Sequence, residues 1–365
     1  MIPDPALPLV PPRWILSPVL AVRAALRALH DQLVPAPVAL LERSMGIAQT
    51  MLLHVAARLD LAGMLERGPA TAPTLAADLD VDADALDRIL RALVAHGVFA
   101  RDAEGRYRNN RLSRGLLAST PGGGPWMAAF SGDACNVRAW AAIDHVVATG
   151  QNGFEHANGR PVWDWLGDHP AEREAFAAGM QSATALSASA IVSAGDFGRF
   201  PVVCDVAGGR GLLLGAILRR HPGARGVLLD RAEVLAGARP VLARMNVADH
   251  CTLVPGDMFT EVPSADAYVL KDILHDWDDA AAARILASVR RAARPGARLL
   301  VVEMLVHPVE HDPIVHFTDV LMLCLVSGRQ RSASDLDALL GAGGFARERI
   351  VPVDGVYSLV EAVAR

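Results

Sequence analysis

Residues Cys204–Gly211 read CDVAGGRG, in which an apolar, strand-like run ends at Asp205 and closely spaced glycines follow before a helical pattern begins. Gly208, Gly209 and Gly211 let the backbone approach a ligand closely and present the free amides of a helix start. Many α/β proteins have a glycine-rich first turn, and the spacing differs from the GxGxxG of dinucleotide-binding proteins. The motif alone therefore predicts a ligand-binding turn and no particular ligand.

Strand-like and helical runs alternate from residue 201 towards the C-terminus. The strand-like runs are VVCDVAG, GVLLD, CTLVPGD, DAYVLKD and ARLLVVEML. This alternation predicts a parallel sheet with helices on both faces. Two further runs, RIVPV and YSLVEAVA, lie close together and predict an antiparallel hairpin at the sheet edge.

The N-terminal third has a different pattern. Residues 38–118 read as successive helices, and Leu86, Ile89, Leu90 and Leu93 recur at helical spacing. VFARDAEGRYRNN then alternates around a Glu-Gly turn and predicts a β-wing. This order predicts a winged helix, and the following STPGGGP marks a boundary. We predict an N-terminal, mainly helical domain over 1–118 and an α/β domain over 119–365.

The first residues form an amphipathic helical pattern. Ser17-Pro18 is a helix-start signal, and Val19, Val22, Leu26, Leu29 and Leu33 then fall on one face. Charged residues interrupt the apolar run, so it is too polar to span a bilayer unaided. We favour contact with a partner subunit, and an interfacial or transit segment is the alternative.

Composition narrows the classes of partner. The 365 residues suit two domains, and about half of them are apolar. The net charge of −5 gives no electrostatic reason for a nucleic-acid or membrane partner. Four scattered cysteines, with no metal-ligand spacing, favour buried thiols in a reducing compartment. We expect a cytoplasmic protein.

Acidic residues end three successive predicted strands: Asp205, Asp230 and Asp257. One such residue is often a turn or helix cap, but three in order at one sheet edge favour a ligand site. Carboxylates would repel a bare pyrophosphate and attract a ribose, an adenine amine and a cation. S-adenosylmethionine combines these three features.

The stretch ILHDWDD (Ile273–Asp279) follows the fourth predicted strand of the sheet. His275 then lies outside the carboxyl end of that strand, where open parallel sheets bind ligands. A neutral imidazole, with a pKa of about 6.5, can remove a hydroxyl proton as the oxygen attacks a methyl group. A structural loop histidine is the alternative, and Asp278 and Asp279 are expected to cap the next helix.

Several segments together resemble one family. They are CDVAGGRG, GDMF (256–259), LKDILHDWDD (270–279), TDVLMLCLVSGRQRS (318–332) and AFAAGMQS (175–182). From about residue 40 to the end, the chain resembles the S-adenosylmethionine-dependent O-methyltransferases of the plant caffeate/isoflavone type and their bacterial natural-product relatives. The resemblance implies a Rossmann-like class I methyltransferase domain, a winged-helix domain that forms a homodimer, and a small aromatic or polyketide hydroxyl as acceptor.

The resemblance also implies roles for individual residues. His275 is the general base, Asp276 is its neighbour, and Glu303 and Gln330 flank it. The implied substrate residues are Phe176, Met180, Asp319 and Met322. The implied cofactor contacts are Gly208, Asp230, Asp257, Met258 and Lys271, and the glycine turn with its strand-end acid adds Asp205, Gly209 and Gly211 to this prediction.

The chain departs from the family pattern at two places. Ala207 replaces the first of three glycines, and Gln330 stands where the family has Glu. Gln accepts a hydrogen bond but cannot stabilise imidazolium charge as a carboxylate does. Gln330 therefore leaves open a relative that binds the cofactor but carries out cyclisation, decarboxylation or oxidation.

Two other functions have weaker support. The segment HPVEHDPIVHFTD (307–319) contains three histidines, but its prolines break the helical spacing that ligands would need, and we predict no metal. A winged helix with a basic wing also fits a DNA-binding regulator. Its recognition helix (82–96), however, carries Asp82, Asp84 and Asp87 and is not basic.

Overall fold

The structure is a computed structural model that describes residue 7 and residues 13–120, 122–307 and 313–365. The helices in these residues are α1 Arg13–Gln32, α2 Ala36–Ser44, α3 Gly46–Arg58, α4 Leu61–Leu65, α5 Ala72–Leu79, α6 Ala83–Ala95, α7 Pro125–Ser131, α8 Ala134–Ala141, α9 Ile143–Thr149, α10 Gly153–Asn158, α11 Val162–Asp168, α12 Pro170–Ala194, α13 Leu212–Arg220, α14 Ala232–Leu235, α15 Ala238–Arg244, α16 Asp279–Ala292, α17 Pro313–Leu325 and α18 Ala333–Ala342. The strands are β1 Ala100–Arg101, β2 Tyr107–Arg108, β3 Val202–Val206, β4 Arg225–Asp230, β5 Cys251–Pro255, β6 Ala267–Lys271, β7 Arg298–Glu303, β8 Phe345–Pro352 and β9 Ser358–Ala364.

The chain divides into two compact units. One contains Val19–Val137 and His169–Ala183, and the other consists mainly of Arg138–Asp168 and Thr184–Arg365. Residues 169–183 thus group with the N-terminal helices, although they lie beyond residue 118 in sequence. The predicted boundary after residue 118 stays a prediction.

The first unit contains the predicted winged helix. Thr71 and Asp82 cap α5 and α6 through their side chains, and β1 and β2 pair as a short antiparallel wing. Tyr107 on the wing is fully buried and donates its hydroxyl to Asp87 of α6, at 2.7 Å. This hydrogen bond links the wing to α6.

The helix start predicted at Ser17-Pro18 is wrong. Helix α1 begins at Arg13, and Pro18 lies inside it. A Ser-Pro pair is a local signal, and Pro18 is close enough to the start to be tolerated within a longer helical run. The predicted apolar face of α1 is exposed, with Val19, Val22, Leu26, Leu29 and Leu33 each at least half accessible.

The second unit is built on a seven-stranded sheet in the order β5-β4-β3-β6-β7-β9-β8. The first five strands are parallel, which confirms the predicted parallel sheet. Strand β9 inserts between β7 and β8 and is antiparallel to both, so the predicted hairpin forms with β8 at the edge. Two buried apolar clusters involve these strands, one with α13 and α15 and the other with α16 and α18.

One helix in the described part of the chain, α12, is long and apolar enough to cross a membrane. Length and composition are weak evidence here, because the core helix of a soluble protein passes the same test.

The start of α16 provides a test of local stability. Asp278 caps this helix by accepting the Ala281 N–H at 2.7 Å, as its position after the His-Asp-Trp stretch predicts. Replacing it by Ala removes the acceptor and should lower the free energy of unfolding by about 1 kcal/mol. Urea denaturation measures this, and D278N, which keeps an acceptor, is the control. Equal losses in both variants would contradict the capping role.

Candidate active site

The glycine turn after β3 contacts the end of β4. The Asp230 side chain accepts the backbone N–H of Gly209 at 2.8 Å and that of the next residue, Arg231, at 2.7 Å. A Cβ on Gly208 would lie 2.4 Å from Cγ of Asp205, so this position accepts only glycine. Gly211 has a positive φ and precedes α13. Asp205, Gly208, Gly209 and Gly211 therefore form one compact turn, and Asp230 contacts this turn from the end of β4.

Ala207 lies in the same turn and has a φ of +54°. This left-handed conformation favours glycine, because an L side chain is strained there. The departure from three glycines therefore falls at a position where the backbone itself favours glycine.

Two buried carboxyls lie at this turn. Burial and the neighbouring Asp230 raise the pKa of Asp205 to about 7. Burial likewise raises the pKa of Asp230 to about 6, although the Arg231 and Gly209 amides oppose the shift. Oδ2 of Asp205 is buried and has no hydrogen-bond partner among the described residues. A cationic or hydroxyl-bearing ligand would supply what this pair lacks.

The third strand-end acid is placed differently. Asp257 is exposed after β5, and its side chain accepts the Phe259 N–H at 2.9 Å. Met258 is partly buried against the apolar cluster that contains α16. Asp257 thus lies at the carboxyl edge of the sheet, and within the described part of the chain its side chain binds its own loop through Phe259.

Lys271 ends β6 and forms a buried group with two residues that sequence reasoning missed. Its ammonium pairs with Asp272 and lies 4.9 Å from the ring centroid of Tyr357. The Tyr357 hydroxyl donates to Asp272 at 2.9 Å. Asp272 has a φ of +54°, and the Lys271 and His275 charges lower its pKa against the effect of burial. Nothing in the local sequence links Tyr357 to this loop, because Tyr357 lies far along the chain, immediately before β9.

His275 is buried at the predicted place, in the turn after β6, between acidic side chains. Its Nδ1 lies 3.6 Å from Oε2 of Glu303, and its Nε2 lies 3.4 Å from Oδ1 of Asp276. Glu303 also accepts the backbone N–H of His275 at 3.2 Å. Burial alone would lower the pKa of His275, but Glu303, Asp276 and Asp272 together raise it above its ordinary value. Burial raises the pKa values of Glu303 and Asp276.

Gln330 reaches the same imidazole from the segment between α17 and α18. Its Nε2 lies 2.8 Å from Nδ1 of His275, and Gln330 is buried. The structure therefore brings His275, Asp276, Glu303 and Gln330 together, as the resemblance implies. Their chemical roles stay predictions.

The four predicted substrate residues are divided between the units. Phe176, in tilted contact with Phe130, and Met180 lie on the part of α12 that belongs to the first unit. Met322 is buried on α17 of the second unit. Asp319, also on α17, accepts the Gln330 N–H at 2.7 Å. This hydrogen bond supports a structural role for Asp319. Contact of these four with substrate stays a prediction.

A metal site was predicted to be absent, and the structure bears on this prediction only for the residues that it describes. No group of three His, Cys, Asp or Glu side chains suited to a metal occurs among the described residues. His311 and Pro308, which belong to the histidine-rich segment, lie outside those residues.

A glycine turn, acids at the strand ends and an imidazole flanked by carboxylates lie together at the carboxyl edge of this sheet, where open α/β sheets bind ligands. The fold is that of the class I methyltransferases. The chain belongs to the O-methyltransferase family: residues 140–346 match the O-methyltransferase domain and residues 41–119 match the O-methyltransferase dimerisation domain.

Known proteins of similar sequence support this assignment. The chain is 37% identical to phenazine O-methyltransferase PhzM of Lysobacter antibioticus, covering 90% of this chain and 96% of that protein. It is 37% identical to the mitomycin biosynthesis 6-O-methyltransferase of Streptomyces lavendulae, covering 84% and 88% respectively. The solved O-methyltransferase NcsB1 from neocarzinostatin biosynthesis, in complex with S-adenosylmethionine and 2-hydroxy-5-methyl naphthoic acid, superposes with a TM-score of 0.76 at 30% identity, covering 87% and 96%.

The protein is thus an S-adenosylmethionine-dependent O-methyltransferase of the natural-product type, with a mainly helical N-terminal dimerisation domain. The family match favours an enzyme over a DNA-binding regulator, and the relatives named above are methyltransferases rather than enzymes of another chemistry.

Gly328 was also missed by sequence reasoning and provides a test of packing. A Cβ there would lie 1.9 Å from the His275 carbonyl oxygen, so G328A must displace the loop. We expect G328A to lower the free energy of unfolding by about 1–3 kcal/mol. Gly341 in α18 has nothing within 4 Å of its Cβ position, so G341A is the matched control and should not destabilise. Equal stability of both variants in urea would contradict the close packing.

Proposed function

We propose that the enzyme transfers a methyl group to a hydroxyl of a small aromatic or polyketide-type natural product, with His275 as the general base. The observation that carries this proposal is the buried imidazole between Glu303 and Gln330, at the edge of the sheet that also bears the glycine turn. A base is useful here because a phenol, with a pKa of about 10, attacks a methyl group poorly until its proton leaves.

Gln330 allows the tautomer of His275 that the proposed reaction needs. Its Oε1 is buried and has no hydrogen-bond partner among the described residues, and half a turn of the amide would bring Oε1 to Nδ1. Nδ1–H then donates to that oxygen, with Glu303 nearby, and the lone pair is on Nε2. In this state Nε2 receives the hydroxyl proton while Glu303 stabilises the imidazolium.

The reaction balances without a further reagent. S-adenosylmethionine, when bound, supplies an electrophilic methyl group on a positively charged sulfur. A bond forms between the acceptor oxygen and the methyl carbon, the carbon–sulfur bond breaks, and the hydroxyl proton passes to Nε2 of His275. Holding the two reactants in line contributes to the rate beyond the transfer of the proton.

The cofactor contacts are proposed from the geometry of the sheet edge. Asp230 lies where a carboxylate can accept the ribose hydroxyls. Gly209 has no atom within 4 Å of its Cβ position and leaves room for the cofactor, while Gly208 and Gly211 let the turn pack closely against Asp205 and Leu228. Asp205, with its unpartnered oxygen, fits the cationic part. Asp257, Met258 and Lys271 lie at the ends of β5 and β6, where an adenine would lie.

The substrate class is proposed from the names of the relatives and from the chemical character of the predicted substrate residues. The names of the relatives refer to phenazine, mitomycin and a naphthoic acid, which are multi-ring compounds. Phe176, Met180 and Met322 are apolar side chains suited to such rings, and Asp319 is the polar member of the set.

A homodimer is proposed through the N-terminal domain. Residues 41–119 match a dimerisation domain, and the apolar face of α1 is exposed together with Leu40, Leu41 and Ile47. An exposed apolar surface of this kind is typical of a protein contact.

Replacing His275 by Ala tests the base. We expect kcat to fall by about 10²–10⁴, because the acceptor proton loses its recipient, while the S-adenosylhomocysteine dissociation constant changes less than about threefold. Labelled methyl transfer to a panel of phenols and hydroxynaphthoates, together with calorimetry, measures both. H250A, on an exposed turn, is the control. An unchanged kcat in H275A would remove His275 from the mechanism.

The buried acids make cofactor affinity depend on pH. A cation and a ribose diol favour ionised Asp205 and Asp230, whose pKa values are raised to about 7 and about 6. Binding must therefore release protons at low pH, so S-adenosylmethionine affinity should rise from pH 5 to 8 and then level off. Calorimetry across this range measures it.

The variant D230N should weaken the affinity severalfold and flatten the pH dependence, because one titrating carboxyl is lost. An exposed acid changed in the same way, D249N, should leave the wild-type profile in place. A wild-type affinity that does not vary with pH would contradict the assignment of both acids.

A further inference from the structure

The segment Gly328–Ser332 lies directly against the turn that carries His275. The Arg329 N–H donates to the His275 carbonyl at 2.9 Å, and Gly328 leaves no space between the two backbones. At its other end, the Val306 N–H donates to the Arg331 carbonyl at 3.0 Å, three residues after Glu303. One short segment therefore contacts both the imidazole turn and the strand end that supplies its flanking acid.

Arg331 connects these parts through its side chain, which is buried although it is charged. Nη1 donates to the Leu274 carbonyl at 2.6 Å, and Nη2 donates to the Trp277 carbonyl at 2.9 Å. Nε and Nη2 also donate to Oδ1 of Asp279, at 2.9 and 2.8 Å. The guanidinium thus binds the chain on both sides of His275.

The turn has little structure of its own to hold His275. Residues Leu274–Asp276 form a single 3-10 turn. The side chain of Ile273, the residue before it, does not cap this turn. Without the guanidinium, the Leu274 and Trp277 carbonyls would lose a charged donor. The position of the imidazole relative to Glu303 would then depend on a short, weakly held turn.

We propose that Arg331 is a positioning residue that holds the 274–277 turn so that His275 stays between Glu303 and Gln330. This role rests on the proposed function of His275 as the base. It requires arginine specifically, because a planar fork of five N–H donors spans two carbonyls and a carboxylate. Lysine keeps the charge, but its single nitrogen cannot reach the three acceptors at once.

The first test is R331K. We expect kcat to fall at least about tenfold, with the S-adenosylhomocysteine dissociation constant within about twofold of wild type. The acid limb of the kcat/KM profile should also move, because the imidazole shifts relative to Glu303, Asp276, Asp272 and Lys271, the charged groups that face it. R347K is the matched control, since Arg347 pairs in a bidentate way with Asp337 on the surface, away from the site.

A purely structural role would give a different result from R331K. It would lower the melting temperature while leaving kcat and the pH profile of the folded enzyme unchanged, and that result would overturn the proposal. If R331K does not fold, D279A replaces it, because the mostly exposed Asp279 accepts from both Nε and Nη2 and so holds the guanidinium in place against the two carbonyls. A kcat loss in D279A supports the proposal, and a wild-type kcat overturns it.

The failure of this inference can be distinguished from failure of the proposed function. If H275A loses turnover and R331K does not, only the positioning role is wrong. If H275A keeps wild-type turnover, the assignment of the base is wrong, whatever R331K does.

Discussion

The burial of charge around His275 is the constraint on which the carboxyl edge of the sheet depends. Glu303, Asp276 and Asp272 are withdrawn from water within reach of one imidazole. Each buried carboxylate costs several kcal/mol unless a partner compensates it. The imidazole, Lys271 and the Tyr357 hydroxyl supply that compensation, so the ionisation of each group depends on the others. The same burial that strengthens these interactions makes an error of position costly.

This constraint explains why the support for the site comes from distant parts of the chain. The turn at 274–276 is short, and the groups that fix it come from β7 and from the segment before α18. Asp272, just before the turn, is bound by Tyr357, which precedes β9. Strands β6 and β7 are neighbours in the sheet, so Glu303 ends beside the turn by register alone. Arg331 and Tyr357 are more than 50 residues further along the chain, so only the tertiary fold brings Arg331 to Leu274 and Trp277 and Tyr357 to Asp272.

The sequence predicts the parts of this arrangement that carry a periodic or positional signal. Apolar runs ending in Asp205 and Asp230 predict parallel strands and an acidic edge, and the His-Asp-Trp stretch predicts the place of His275. Arg331 could not be predicted, because two of its partners are backbone carbonyls, which have no sequence signature. The predicted start of α1 was wrong for a related reason. The Ser-Pro signal is local, and the residues before it extend the helix through it.

Gln330 has a consequence for the full catalytic cycle. In the proposed mechanism His275 must take a proton from the acceptor and then lose it before the next turnover. Glu303 and Asp276 already raise the imidazole pKa, which favours uptake of the proton and slows its release. A carboxylate in place of the amide, 2.8 Å from Nδ1, would add a further negative charge and bind the proton more tightly still. A neutral amide keeps the hydrogen bond to the ring without adding that charge. In the proposed mechanism, Gln330 would therefore balance proton uptake by His275 against proton release.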